Sequence, residues 1–159
     1  MLEAQGPFAG MQRSDMATQN FDLTLRRHDR YVAEHPAEVR VGASCTNLVR
    51  ITRSMLSNSN CLEVRAIDFS MGGLGMRTPL FLPRGCSLTV KVLFAGPKPF
   101  EFEMPATVQR VGMLDCKPTY YVGCSFDTVD AAGRERVRAM VEHVKASGGV
   151  LDTEVRRAS

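Results

Sequence analysis

The chain has 159 residues, 44% of them apolar and 23% charged, the balance of one globular domain with tails; disorder throughout and collagen-like structure are excluded. No apolar run approaches the roughly 18–20 residues of a membrane helix, and the N-terminus lacks the basic-then-apolar layout of a signal peptide, so the expected location is cytoplasmic. Twenty basic against 17 acidic residues leave a net charge of +3, too little to announce a nucleic-acid polymer as partner; any anion site has to be built locally.

Residues 1–20 carry no periodicity and read as a flexible tail. Residues 21–147 form the expected domain, and 148–159 a second flexible tail. From Pro36 the pattern acquires a period of two: Glu38–Val41, Leu62–Ala66, Leu88–Val92, Phe100–Met104 and Tyr120–Phe126 alternate polar and apolar positions. Alternation of this kind marks antiparallel strands with one buried face. Turn residues separate them at Ser57–Asn60, Pro83–Gly85, Gly96–Pro99 and Lys117–Pro118. Pro105 predicts a bend or bulge in its strand. Residues 44–60 read either as a short helix or as strand; the preferred reading is two lengthened strands joined by a polar hairpin at Ser57–Asn60. Near the C-terminus, Val137, Met140, Val141 and Val144 recur at helical spacing. They predict one amphipathic helix over 130–147, capped by Asp127 or Asp130 and ended by Gly148-Gly149. The fold class is therefore all-β with one C-terminal helix, a barrel or sandwich.

The five cysteines, Cys45, Cys61, Cys86, Cys116 and Cys124, are odd in number, irregularly spaced and without a C-x-x-C pair. They read as unpaired thiols, buried or half-buried. His28, His35 and His143 have no cysteine or carboxylate at ligand spacing, and no metal or cofactor is expected.

Two clusters interrupt the pattern. Arg26-Arg27-His28-Asp29-Arg30 precedes the strands; guanidinium groups bind phosphate bidentately, read the guanine O6/N7 edge and stack on flat rings. Alone, the cluster reads first as a solvated basic patch. Asp68-Phe69-Ser70-Met71-Gly72-Gly73 closes a strand and opens the next. Asp68 can accept from two N–H donors, Ser70 can donate or accept, and Gly72 and Gly73 permit positive φ and close approach of a ligand. Alone, this is a turn whose side chains bond their own backbone.

In order, R-x-x-x-R, strand, D-x-S-x-x-G, further strands and a final helix resemble the PilZ domain family over about residues 25–146. The matching residues are Arg26, Arg30, Asp68, Ser70 and Gly73, with Tyr121–Phe126 similar to the last strand. The resemblance implies a six-stranded antiparallel PilZ-type split β-barrel that binds the bacterial second messenger cyclic di-GMP. By position, Arg26 and Arg30 are the clamp, Arg27 an auxiliary, and Asp68, Ser70, Gly72 and Gly73 the floor. Leu25, where a further arginine is absent, favours one ligand molecule per site. The stretch between the motifs is longer than is usual in the family, with the extra residues assigned to 44–60. No nucleophile with a spaced base, phosphate loop or carboxylate pair is present, so no catalysis is expected. The protein is expected to act on an effector protein by ordering the clamp. The rival reading is a ligand-free interaction module of the same fold.

Overall fold

The computed structural model describes residues 28–127 and 130–153. Six strands dominate: β1 (Arg30–Val41), β2 (Leu62–Ser70), β3 (Gly73–Thr78), β4 (Ser87–Phe94), β5 (Phe100–Asp115) and β6 (Thr119–Phe126). All pairings are antiparallel, and the order β1-β2-β3-β6-β5-β4 closes back on β1 through its pairing with both β2 and β4. The uneven ring follows from β1, whose 30–39 stretch pairs with β2 while only 37–41 pairs with β4.

The alternation in sequence becomes the barrel wall. In β2, Leu62, Val64 and Ala66 point inward; in β4, Leu88, Val90, Val92 and Phe94 do; in β5, Phe102, Met104, Ala106 and Val108 do. Their apolar surface is the main folding force at about 25 cal/mol per Å². The helix α1 (Ala131–Ala146) packs against β1, β2 and β5 through Val137, Met140, Val141 and Val144, all buried. Asp130 caps it, accepting 2.7 Å from the Gly133 amide. It ends where Gly148 takes φ +94° and the Gly149 amide reaches the Val144 carbonyl at 2.9 Å.

Four expectations need correction. Residues 44–60 hold no lengthened strands; the described chain there makes two 3-10 turns, Ala43–Cys45 and Arg53–Met55. Only Cys45 and Val49 are tucked into the core, whereas Leu48 is 67% exposed, so the apolar spacing had no continuous face to bury. Pro105 causes no bulge and pairs in register with Thr89. Its carbonyl faces Asp127, just past the end of β6, so the missing N–H falls where no ladder bond is required. Within the stretch expected as a flexible tail, Val150–Leu151 forms a short strand, β7, against Tyr31 and Val32. Cys116 is exposed, not buried; all five cysteines are unpaired.

Candidate functional site

Asp68 lies near the end of β2, opposite Val32 of β1 and Gly75 of β3. A register shift between Ala66 and Asp68 lets the carboxylate stand on the outer face beside the fully buried Phe69. The chain then turns. The Ser70 hydroxyl accepts from the amides of Gly72 (3.3 Å) and Gly73 (3.2 Å) and donates to the Gly73 carbonyl (3.1 Å). One donor and two acceptor positions are thereby filled, and Ser70 acts here as the stitch of the β2–β3 turn.

The glycines serve space rather than backbone freedom. Neither Gly72 nor Gly73 adopts positive φ, contrary to expectation. A Cβ on Gly73 would overlap the Cys124 carbonyl oxygen of β6, so glycine is what lets the two strands pair there. Gly75 is more telling. A Cβ there would overlap both the Tyr121 hydroxyl and Asp68 Oδ2.

The registers of four pairings define one row across the wall: Val32, Asp68, Gly75, Gly123 and Arg110. At about 4.8 Å per strand spacing, Asp68 and Arg110 stand roughly 14 Å apart on the backbone. Two glycines form the floor between them. The Tyr121 ring covers it, 3.3 Å from where a Gly123 Cβ would sit. Its hydroxyl donates to Asp68 Oδ2 at 2.9 Å and accepts from Arg30 Nη1 at 3.5 Å. The Arg110 guanidinium lies over the ring, 5.4 Å from its centroid, a cation–π arrangement. Burial, reinforced by the Asp68 charge, raises the Tyr121 pKa, so the phenol stays a donor.

Arg30 completes the cluster. Its Nε is 3.6 Å from Asp68 Oδ1, an ion pair beyond hydrogen-bond length. Oδ1 is thus the less committed oxygen. Arg30 does not precede the strands, as the sequence suggests; it is the first residue of β1, opposite Ser70, and so is fixed in register with the turn. Arg26 and Arg27 lie outside the described residues.

These groups surround an open cavity of about 480 Å³. Arg30, Arg84 and Arg110 enter it from β1, the β3–β4 connection and β5. Among the described lining residues Asp68 is the single carboxylate. Cys124 also lines it, but burial pushes its thiol up to about 12, so it offers no thiolate. No cluster of His, Cys, Asp or Glu suited to a metal occurs among the described residues, and no helix there is long and apolar enough to cross a membrane.

The structure therefore brings Arg30, Asp68, Ser70, Gly72 and Gly73 together at one cavity. Sequence reasoning passed over Tyr121, Gly75, Arg84 and Arg110. Tyr121 and Gly75 stood inside stretches read as strand, and the one available signal for Arg110 was the polar pair Gln109-Arg110 breaking the alternation of β5.

The family model described as PilZ domain matches residues 24–143. The chain belongs to the PilZ domain family. Solved structures agree on the fold. The Bacillus subtilis inhibitor of motility MotI/DgrA superposes with TM-score 0.54 at 12% identity, covering 77% of this chain and 52% of that one. Escherichia coli YcgR in complex with c-di-GMP gives 0.52 at 15% identity, covering 85% and 51%. The isolated PilZ domain of YcgR with c-di-GMP gives 0.50 at 17%, covering 77% and 93%. This chain spans about half the length of MotI/DgrA and of the longer YcgR chain. No curated protein sequence matches it. The barrel described above is the PilZ fold.

Proposed function

We infer that this PilZ domain is a receptor for cyclic di-GMP, a binding module rather than an enzyme. The observation that carries the reading is the cavity: arginines from three separate elements surround one carboxylate. The ligand has two phosphates for guanidinium groups and two guanines, each presenting adjacent N–H donors on its Watson–Crick edge. Asp68 accepts that edge, with Oδ1 exchanging its loose Arg30 contact for the base. Tyr121 holds Oδ2 and so fixes the carboxylate plane. Arg30 then turns to phosphate or guanine O6/N7. Arg26 and Arg27 close over the ligand from the N-terminal side, Ser70, Gly72 and Gly73 shape the floor beneath it, and an effector protein reads the ordered surface.

Members of the fold reported with c-di-GMP, such as YcgR, support this assignment at the level of family. Calorimetric titration tests it. The expected dissociation constant lies between about 0.1 and 10 μM, or roughly −9.5 to −7 kcal/mol. Absence of heat and of thermal shift at about 100 μM ligand rejects the reading and leaves a ligand-free interaction module.

A further inference from the structure

Arg110 is rooted on β5 and Arg84 in the turn bonded to it, across the β3–β6 floor from the strands that carry Arg30 and Asp68, and the Arg110 guanidinium reaches back over the Tyr121 ring. In the ring order, β1 and β2 lie on one side of the β3–β6 glycine floor and β5 on the other. Arg110 belongs to β5, and the register shift between Val108 and Arg110 re-aims its side chain. Arg84 sits in the Pro83–Cys86 turn, closed by Cys86 N–H donating to the Pro83 carbonyl at 3.1 Å. Gly85 has φ +86°, the left-handed conformation that glycine accepts without strain. Bonds from the Gly85 amide to the Val108 carbonyl (2.8 Å) and from the Val108 amide to the Cys86 carbonyl (2.9 Å) bolt the turn onto β5, two residues before Arg110.

Both arginines are exposed to the cavity, and neither pairs with a carboxylate among the described residues. Two guanidinium groups that line one cavity without a carboxylate partner of their own favour an anion there. Neither residue belongs to R-x-x-x-R or D-x-S-x-x-G.

We propose that Arg84 and Arg110 form a second anion grip, on the barrel wall, which holds one phosphate of the cyclic dinucleotide. The inference rests on the receptor reading. It gives the folded barrel wall an affinity for phosphate of its own.

The test is calorimetry with cyclic di-GMP on the full chain, Arg84→Gln, Arg84→Lys and Arg110→Gln, each at three salt concentrations. Arg84 has no side-chain hydrogen bond or ion pair among the described residues, so Arg84→Gln should keep the parent thermal midpoint. The expected result is a weakening of about 10-fold for either glutamine variant, with a shallower salt dependence than the parent and partial recovery in Arg84→Lys. Parent-like affinity and salt slope in Arg84→Gln overturn the second grip while leaving the receptor reading intact. Silence of the parent chain overturns both.

Discussion

Tyr121 of β6 and Asp68 of β2 are joined by a 2.9 Å hydrogen bond although β3 lies between their strands. The bond exists because the intervening residue is Gly75, whose missing side chain leaves the space that the phenol crosses. Three strands thus cooperate to present one carboxylate.

Substitution at Gly75 should break this arrangement. Gly75→Ala forces a methyl between two polar groups and is expected to destabilise the domain by about 1–3 kcal/mol, the range of core overpacking. Gly73→Ala should cost at least as much, since the clash is with the Cys124 backbone. Gly72→Ala should stay within about 0.5 kcal/mol, because its methyl meets a ring carbon of the exposed His28 at 3.1 Å, and that side chain can swing away. Denaturant titration of the three variants checks the order.

The Tyr121 hydroxyl has a signature in alkali. Its folded pKa is raised from an ordinary 10.0 by burial and by the Asp68 charge. The native state therefore holds the proton more tightly than the unfolded chain. The associated stability is complete below pH 10 and is lost as pH rises through the folded value. Tyr121→Phe should show a shallower loss of stability above pH 10 than the parent. At neutral pH it should bind cyclic di-GMP about 3- to 10-fold more weakly, as expected for one lost hydrogen bond of roughly 0.5–1.5 kcal/mol.

Acid should act through a different group. His35 of β1 packs edge-on against Phe94, centroids 4.6 Å apart, and near Phe69 at 5.8 Å. Burial first, then the charges of His143 on α1 and Arg65 on β2, lower its pKa below 6.5. The native state disfavours the proton, so stability is present above 6.5 and falls as pH drops through the folded value. Guanidinium melts between pH 7.5 and 5 should show that fall, and His35→Phe should reduce it.

Much of this was legible from sequence because it is local. Phe100–Met104 announces its strand through period two, and Asp68, Ser70 and Gly73 announce a turn through residue type. What was hidden depends on register. Nothing near Tyr121 in the chain says that it faces Asp68, because that follows from the Gly75–Gly123 pairing. Arg30 was misplaced for a related reason: the first residues of β1 are only half-buried, so no alternation marks them as strand. In 44–60, Leu48 and Met55 are exposed, and apolar spacing alone cannot distinguish a buried stripe from a surface turn.

Arg30, the described arginine of R-x-x-x-R, should carry binding energy. A hydrogen bond to a charged group is worth about 1.5–3 kcal/mol, so Arg30→Ala is expected to weaken cyclic di-GMP by roughly 10- to 150-fold. Because Arg30 lies in β1 opposite Ser70, its loss should not alter hydrogen exchange in β4 and β5. Calorimetry paired with exchange mass spectrometry separates these two readouts.

The role proposed for Asp68 is to read a guanine edge inside an arginine-lined cavity. Its most direct test is a four-way calorimetric comparison of the parent and Asp68→Ala, each with cyclic di-GMP and cyclic di-AMP. The parent should prefer the guanine ligand, and Asp68→Ala should lose most of that preference, weakening cyclic di-GMP by about 10- to 150-fold while leaving cyclic di-AMP nearly unchanged. Equal weakening of both ligands, or a parent that does not discriminate between them, would contradict it.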